Sequence, residues 1–290
     1  KYIKKEDILY IHHPILGAFY SLLPNKRFFF FHGPLHEEYK LKPNSNKVGY
    51  ITRYLMQKFV INRSKEIFVY SEYMKNILEK LGIRKKIEII PPMFDYNKFS
   101  KYLALEKSTL RKELNLPLNK KILITSRRLT DRTGVIELIK TFKDINLHYP
   151  KNNYHLIIIG KGELENKIKS MCSNISNINF IGYVDENLLP KYLRASDVYI
   201  LPSKNLEGFG IVLLEAFSLN IPVVVSNKAD GAVEFVSKID PMLVFDFDNM
   251  PFSLLYAIDY VNNLNLDLSS IAKIYDRKVV SKLIFERLTL

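Results

Sequence analysis

Two carboxylates, Glu207 and Glu215, bracket a glycine-rich turn that runs into an apolar helical pattern. Glycine lacks a Cβ, so the turn can approach a ligand closely, and a helix that begins there directs unpaired N–H groups and a partial positive charge at the same point. Carboxylates bind phosphate poorly but accept hydrogen bonds from hydroxyl groups. The segment therefore predicts a site for a sugar joined to a diphosphate. The residues expected to meet the diphosphate are Gly208, Phe209, Gly210 and Ile211.

Fixed positive charge is the second requirement of such a site. Breaking a bond between a sugar and a phosphate develops negative charge on the departing diphosphate, which cationic groups and N–H donors stabilise. Arg128 follows the strand pattern Lys121–Ser126. A guanidinium can hold two phosphate oxygens at once. We therefore expect Arg128 to bind the diphosphate and to act in catalysis.

Length and composition limit the interpretation. The chain has 290 residues, 47% of them apolar, so it can bury a core and is long enough for about two domains. Its net charge of +13 predicts attraction to polyanions, although the base composition of the source genome explains much of the charge equally well. Cys172 is the single cysteine, which excludes an intramolecular disulfide and indicates a reducing, cytoplasmic compartment. No apolar run approaches the about 20 residues that cross a bilayer.

The elements that position these residues are short β-rich runs alternating with helical patterns. This alternation predicts an α/β fold of parallel sheets covered by helices on both faces, with ligands bound at the carboxyl ends of the strands. Most of the runs are continuously apolar, as in strands buried on both sides. The predicted strands are Asp7–Ile11, Arg27–Phe31, Glu66–Tyr70, Ile87–Ile90, Lys121–Ser126, His155–Ile159, Asn179–Ile181, Val198–Leu201, Pro222–Val225 and Met242–Phe245.

A break in this pattern divides the chain. The strand signal stops at Pro91-Pro92, and the polar, lysine-rich stretch 96–120 leads to a new strand. We predict an incomplete domain of residues 1–105 with four strands and a complete domain of residues 106–290 with six.

Nine segments, in order along the chain, carry a resemblance to a known family. They are Ile11-His12-His13-Pro14, Phe31-His32-Gly33-Pro34, Val69-Tyr70-Ser71-Glu72-Tyr73-Met74, Ile89-Ile90-Pro91-Pro92, Ser126-Arg127-Arg128-Leu129, Ile159-Gly160-Lys161-Gly162, Phe180-Ile181-Gly182-Tyr183-Val184, Ala195-Ser196-Asp197-Val198 and Glu207–Glu215. Together they resemble the family 4 glycosyltransferases, which are retaining enzymes of the GT-B fold, with two Rossmann-like domains facing across a cleft. The resemblance implies an acceptor-side domain followed by a nucleotide-sugar-binding domain. It leaves open whether the last helix packs back on the first domain.

The resemblance also shows two departures. Family members begin with further βα units before the segment that starts here at Asp7, which implies a fragment or a truncated chain or, as the alternative, half of a split enzyme. The family's phosphate-binding lysine aligns with Thr133. We expect Arg132, one residue away, to compensate; the alternative is that Arg132 and Arg127 are merely solvated.

Site roles carried over from the family follow its motifs. Glu215 is expected to hold the ribose hydroxyls and Glu207 to lie near the donor sugar. The alternatives are that Glu215 is structural, with its hydrogen bonds made within the protein, and that Glu207 is exposed to solvent. His32 matches a histidine near the transferred sugar, and a structural histidine is its alternative. The residues expected to border the base are Gly160, Gly182 and Tyr183. His12 and His13 occupy a strand end similar to that of His32, and a structural role is favoured for each.

Three other patterns invite different interpretations. His32, His36 and Glu37 suggest zinc, but Gly33-Pro34 prevents the helix that would align two histidines, so we expect no metal site. Asp246-Phe247-Asp248 resembles a metal-binding pair but fits an ordinary acidic loop. The stretch Val48–Lys65 has apolar and basic residues that fit docking on lipid or a helix that covers the sheet equally well.

The predicted function is that of a glycosyltransferase that moves a sugar from a nucleotide-diphosphate donor to a hydroxyl acceptor with retention, in surface glycan or polysaccharide biosynthesis. The expected partners are the nucleotide sugar and a glycan or lipid-linked acceptor. Peripheral contact with the anionic inner face of the plasma membrane is left open. No cofactor or metal is expected. The alternatives are a non-catalytic nucleotide-sugar-binding module, half of a split transferase and, from charge alone, a nucleic-acid binder, which no aromatic-basic motif supports.

Overall fold

The computed structural model describes residues 3–42, 44–150 and 153–289 and consists of two compact units, Lys1–Pro91 and Pro92–Leu290. Each unit contains one parallel sheet with helices packed on it. The units divide earlier in the chain than the domain boundary that we place after residue 105, which stays a prediction. The packing of the last helix on the first domain also stays a prediction.

The first unit has a four-stranded parallel sheet in the order β1-β2-β3-β4. Its elements are β1 (Leu9–Ile11), α1 (Pro14–Tyr20), β2 (Arg27–Phe30), α2 (Leu35–Lys40), α3 (Lys47–Arg63), β3 (Glu66–Val69), α4 (Glu72–Lys80) and β4 (Ile87–Ile89). The strand β2 is buried along its whole length, which is why Arg27 is followed by three phenylalanines rather than by alternating polar residues. The long helix α3 is capped by Asn46, whose side chain accepts a hydrogen bond from the N–H of Gly49.

The second unit has a six-stranded parallel sheet in the order β10-β9-β8-β5-β6-β7. Its first half comprises α5 (Tyr96–Ser100), α6 (Lys107–Glu113), β5 (Lys121–Ser126), α7 (Val135–His148), β6 (Tyr154–Ile159), α8 (Glu165–Cys172) and β7 (Ile178–Gly182). Its second half comprises α9 (Leu189–Ala195), β8 (Val198–Leu201), α10 (Ile211–Ser218), β9 (Val223–Ser226), α11 (Asp230–Ser237), β10 (Val244–Phe245), α12 (Met250–Tyr260), α13 (Leu268–Lys273) and α14 (Arg277–Thr289). Short 3₁₀ turns occupy Asp131–Thr133, Pro241–Leu243 and Val261–Asn263.

Each of the ten predicted strands is present, and every strand pairing is parallel, so the predicted α/β class is confirmed. The last strand begins at Val244 and not at Met242, because Met242 and Leu243 form a 3₁₀ turn in which the side chain of Asp240 accepts a hydrogen bond from the N–H of Met242. The sheet of the second unit is buried on both faces; its central strands β5, β8 and β9 carry almost only fully buried side chains.

Candidate functional site

The strand order of the six-stranded sheet reverses beside β5. The strands β6 and β7 lie on one side of β5, whereas β8, β9 and β10 lie on the other. The loops after β5 and β8 therefore lead away from each other and leave a crevice at the carboxyl ends, which is where ligands bind in open parallel sheets. Arg127 and Arg128 follow β5, and Glu207 follows β8. Residues that the sequence assigns to donor binding thus lie along one edge of one sheet.

A buried ion pair joins these two loops. Nη2 of Arg127 donates to Oε2 of Glu207, and Oγ of Ser203 donates to the same oxygen at 2.9 Å. The side chains of Arg127 and Glu207 are only 8% and 12% exposed. Burial by itself would raise the pKa of Glu207, but the charge of Arg127 outweighs burial and holds this pKa below its ordinary value. The interpretation of Arg127 as a solvated side chain is therefore wrong, and so is the alternative of an exposed Glu207.

Glu207 is held in place on both sides. Its backbone carbonyl accepts the N–H of Gly231 at 2.9 Å, and Leu206 before it adopts φ +54°, a left-handed conformation that costs a residue with a Cβ about 1–2 kcal/mol. Oε1 of Glu207 has no hydrogen-bond partner within the described part of the chain. One carboxylate oxygen is thus fixed by the protein, and the other is left for a ligand hydroxyl.

Arg128 and Arg132 lie in the same loop but have different surroundings. Arg128 is exposed and forms no ion pair with any residue that the structure describes. Arg132 is half-buried, its Nη1 donates to the carbonyl of Leu206 at 3.3 Å, and its charge helps to lower the pKa of Glu207. Arg128 is thus available to an anion, whereas Arg132 stabilises the loop that carries Glu207. Contact of either side chain with a diphosphate stays a prediction.

Thr133, at the position of the family's lysine, closes the turn after Arg128. Its side chain is buried, and its hydroxyl lies 2.9 Å from the carbonyl oxygen of Arg128 and 2.7 Å from that of Thr130. Gly134 follows at φ +71°, and a Cβ there would lie 1.8 Å from the carbonyl oxygen of Pro202. The turn therefore packs directly on the loop after β8, and Thr133 shapes the loop without adding charge to the site.

The N terminus of α10 meets the conditions for an anion site. Gly210 precedes the helix with φ +82°, no side chain caps the helix, and Ile211 at its first position is 41% exposed. The ring of Phe209 is buried against Phe235, with ring centroids 4.7 Å apart, so only its backbone faces a ligand. Gly208 lies in the turn that links Glu207 to this helix start. The geometry agrees with the predicted diphosphate contacts without testing them.

Glu215 lies in the second turn of α10 and is half-buried between the buried residues Leu214 and Ala216. Its carboxyl group has no hydrogen-bond partner among the described residues. Burial raises the pKa of Glu215 to about 7, although the positive charge of Lys98 acts to lower it. A buried carboxyl group without a partner costs free energy, which counts against a satisfied structural role.

The residues predicted to border the base lie at the carboxyl ends of β6 and β7. A Cβ at Gly160 would lie 1.8 Å from the carbonyl oxygen of Arg127, so this glycine permits close packing of two strand ends. Gly182 has φ +80° and open space around it. Tyr183 is 65% exposed, and Nζ of Lys161 lies 4.3 Å from its ring centroid. Tyr183 thus presents a surface to solvent, whereas Gly182 is itself buried and Gly160 serves the fold.

His32 lies at the carboxyl end of the sheet in the first unit, beside His12. Nδ1 of His12 and Nε2 of His32 are 3.1 Å apart, and the ring of His12 stacks on Phe30. Loss of water around the ring, followed by the charges of His12 and His13, lowers the pKa of His32 to about 4, although part of the residue remains exposed. Sequence reasoning placed His12 at a similar strand end but missed this hydrogen bond.

Two of the three patterns that suggested other functions, the histidine cluster and the acidic loop, have structural explanations. His36 is buried, with its ring edge-on to Tyr50 and Tyr54, and no cluster of three or more metal-ligating side chains occurs in the described residues. In the acidic loop after β10, Asp246 accepts from the amide of Asn227 and Asp248 pairs with Lys228. Within the same described ranges, no helix combines the length and apolar character required to cross a bilayer.

Asp197, in one of the nine segments of the resemblance, lies at the opposite, amino edge of the sheet. It accepts hydrogen bonds from Nη2 of Arg111 at 2.6 Å, the N–H of Ile122 at 2.8 Å and Nζ of Lys107 at 3.0 Å. The nearby cations and the N–H group of Ile122 hold the pKa of Asp197 below its ordinary value in spite of burial. This motif therefore ties strands and helices together, far from the carboxyl ends.

Two family models match the chain. The model of the glycosyl transferases group 1 matches residues 106–262, and the model of glycosyltransferase family 4 matches residues 1–98. Among curated relatives, a GDP-mannose-dependent monoacylated alpha-(1-6)-phosphatidylinositol monomannoside mannosyltransferase of Corynebacterium glutamicum is 26% identical over 69% of this chain and 54% of its own length. The O-antigen biosynthesis glycosyltransferase WclY of Escherichia coli is 32% identical over 62% of this chain and 49% of its own length. The chain thus spans about half the length of these relatives.

Solved structures show a similar fold. Sucrose-phosphate synthase from Thermosynechococcus elongatus has a TM-score of 0.77 at 17% identity, over 97% of this chain and 73% of that one. Anabaena Alr3699/HepE in complex with UDP and glucose has a TM-score of 0.75 at 18% identity, over 98% and 77%. At these identities the likeness shows the fold alone, and it confirms the predicted GT-B class.

Proposed function

Because the chain belongs to the group 1 glycosyl transferases, we propose that it takes part in glycan biosynthesis by moving a sugar from a nucleotide-diphosphate donor to a hydroxyl group of an acceptor, with retention of configuration. The observation that carries the proposal is the placement of two carboxylates with available oxygens, Glu207 and Glu215, on either side of the uncapped N terminus of α10. Backbone N–H groups suit a diphosphate, and the carboxylates suit the hydroxyls on its two sides.

In the proposed reaction, the bond between the anomeric carbon and the diphosphate oxygen breaks, and a new bond forms from the acceptor oxygen to the same face of that carbon. The acceptor hydroxyl gives its proton to an oxygen of the departing diphosphate. Arg128 and the N–H groups at the start of α10 stabilise the charge that develops on that diphosphate. Glu207 accepts a hydrogen bond from the donor sugar, and Glu215 binds the ribose.

The nucleotide of the sugar donor is to be identified by experiment. One relative is named as GDP-mannose-dependent, and one structure of similar fold holds UDP and glucose. We therefore propose calorimetric titration of the protein with GDP and with UDP, followed by product analysis with GDP-mannose and UDP-glucose. Lipid-linked saccharides are the acceptor class proposed, because that relative is named for a phosphatidylinositol monomannoside.

Arg128→Gln and Glu215→Gln are expected to weaken binding of the preferred nucleoside diphosphate by about tenfold or more, because each removes a charge-assisted hydrogen bond. Arg84→Gln, at an exposed arginine of the first unit, is the control and should bind as the parent does. Absence of binding to either nucleotide would refute the proposal. Binding without transfer or donor hydrolysis would favour a non-catalytic nucleotide-sugar module.

Metal independence is a further part of the proposal. Backbone N–H groups and arginine supply the positive charge that a divalent cation supplies in other transferases. Transfer rates measured with EDTA and with added Mg²⁺ or Mn²⁺ should agree within about twofold. A loss of activity in EDTA that a divalent cation restores would contradict this part.

Peripheral binding to an anionic membrane is proposed for the outer face of α3. Val48, Ile51 and Leu55 are 75%, 43% and 56% exposed there, between the exposed residues Lys47 and Lys58. The opposite face of α3 covers the sheet. Sedimentation with phosphatidylglycerol vesicles should therefore pull down the parent but not Ile51→Glu/Leu55→Glu. Leu147→Glu, at a 73% exposed leucine of the second unit, is the control. Equal sedimentation of all three proteins would refute this contact.

A further inference from the structure

Arg127 is a charged residue of the crevice that the proposed function does not yet use. Its guanidinium reaches from the end of β5 to Glu207 in the loop after β8, a residue 80 positions later in the chain. The pair occupies the point at which the strand order reverses. Ser203 donates to the same carboxylate oxygen, so Oε2 of Glu207 has two donors, whereas Oε1 has none among the described residues.

A comparison with the ion pair at the other edge of the sheet separates Arg127 from an ordinary structural arginine. Arg111 donates to Asp197 and also to the carbonyls of Ala195 at 2.9 Å and Lys120 at 3.2 Å, so its guanidinium is well satisfied. Nη1 of Arg127, in contrast, is buried without an acceptor in the described chain. An unsatisfied donor and two desolvated charges together make this pair a poor source of stability.

We propose that Arg127 is a positioning residue that keeps Glu207 ionised and in one orientation, with Oε2 fixed to the protein and Oε1 directed to a hydroxyl group of the donor sugar. The inference rests on the proposed function, since it assigns the partner of Glu207 within that site. It names hydroxylated donor sugars as the class that the site selects, because an ionised carboxylate can only accept hydrogen bonds.

The physical basis is the opposition of burial and charge at Glu207. Burial favours the protonated form of a carboxyl group, and the adjacent guanidinium reverses that preference. Without Arg127, burial would favour the protonated form of this carboxyl group, which would also lose the charged partner that fixes it. Ser203 donates only a neutral hydrogen bond, and the charge of Arg132 lowers the pKa of Glu207 less than Arg127 does, so neither replaces the adjacent guanidinium.

The test measures Glu207 directly. The carboxyl ¹³C resonance of Glu207, identified by its loss in Glu207→Gln, is followed with pH in the parent, in Arg127→Gln and in Arg127→Lys. We expect its titration midpoint to lie at least about one pH unit higher in Arg127→Gln than in the parent, and near the parent value in Arg127→Lys. With GDP-mannose or UDP-glucose, whichever is turned over, kcat should fall about 10- to 100-fold in Arg127→Gln and recover partly in Arg127→Lys.

Arg111→Gln is the matched control, because it breaks a buried ion pair of the same unit at the opposite edge. It should lower the melting temperature without moving the titration of Glu207 or the affinity for GDP or UDP. An unmoved Glu207 midpoint in Arg127→Gln would overturn the proposal. If that variant does not fold, a parent-like Glu207 midpoint in Arg127→Lys together with kcat lower than about one hundredth of the parent would also overturn it.

These outcomes are distinct from failure of the proposed function. If the parent binds neither GDP nor UDP, the donor site is refuted by calorimetry while the titration of Glu207 still reports whether Arg127 controls its ionisation. If the parent binds and transfers but Arg127→Gln behaves as the parent does, the role of Arg127 alone is refuted.

Discussion

Nδ1 of His12 lies 3.1 Å from Nε2 of His32, so the two imidazoles share one hydrogen bond at the carboxyl edge of the first sheet. The pair links two neighbouring parallel strands, β1 and β2, at the place where each ends. A shared hydrogen bond of this kind requires that at least one ring nitrogen be unprotonated.

We expect His32 to remain neutral from pH 5.5 to 8, because loss of water around the ring and the charge of His12 lower its pKa to about 4. The measurement is the ring ¹⁵N chemical shift of His32 as a function of pH. In His12→Ala the midpoint should move upward, because one source of positive charge is removed. A midpoint near the ordinary histidine value in the parent protein would contradict this prediction.

Glu215 makes the stability of the second unit depend on pH. Its pKa is raised to about 7 in the folded protein, so the unfolded chain releases this proton first, and stability is lost as pH rises from the ordinary carboxyl range through about 7. Glu215→Gln removes that loss. We expect the variant to be more stable than the parent by about 1–3 kcal/mol at pH 8 and by much less at pH 5.

Urea unfolding at the two pH values measures this difference. The same substitution should weaken binding of the nucleoside diphosphate, so stability and affinity should change in opposite directions. A stability difference that is equal at pH 5 and pH 8 would show that the carboxyl group is not desolvated in the folded protein.

Gly134 should tolerate no side chain. It adopts φ +71°, and a Cβ would lie 1.8 Å from the carbonyl oxygen of Pro202, so backbone must move in Gly134→Ala. We expect a loss of about 3 kcal/mol or more in unfolding free energy and weaker nucleotide binding, because the turn after Arg128 shifts.

Gly182→Ala is the control for that substitution. Gly182 has nearly the same conformation, φ +80°, but open space around it. Its replacement should cost only the about 1–2 kcal/mol of the left-handed conformation. Denaturant unfolding of both variants gives the comparison. Equal losses would mean that conformation, and not the approach of Pro202, sets the requirement for glycine.

Thr133→Val should destabilise the protein although it preserves shape. The hydroxyl of Thr133 lies within hydrogen-bond distance of the carbonyl oxygens of Arg128 and Thr130, each of which also accepts one backbone N–H, so its removal should cost about 1 kcal/mol, the net worth of one hydrogen bond. Thr125→Val, on the adjacent strand, is the control. The hydroxyl of Thr125 is buried with no partner in the described chain, so its removal should be neutral or stabilising.

Thermal melting and nucleotide affinity together test this prediction. Because Thr133 closes the turn that carries Arg128, the valine variant should also bind the nucleoside diphosphate less tightly. Destabilisation by Thr125→Val as large as that by Thr133→Val would contradict the assigned roles of the two hydroxyls.

The sequence by itself determined the architecture and the strand ends at which the candidate site residues lie. Continuously apolar runs, separated by helical patterns, predict strands buried on both faces, and each of these signals is contained within a few neighbouring residues. The same local logic places Arg128 and the turn 208–210 after strands and hence at a carboxyl edge. Strand ends were less predictable: Met242 is apolar, yet it belongs to a turn in which its N–H donates to Asp240.

Only the tertiary structure decided which charged side chains meet. Arg127 looks like a solvated arginine until the loop after β8 brings Glu207 to it across 80 positions of sequence. Likewise, Arg111 reaches Asp197 across 86 positions, and His12 reaches His32 across 20. The charge state of a side chain depends on the water it loses and on the partners it gains. Those partners come from distant strands, so the strand order of the sheets sets them.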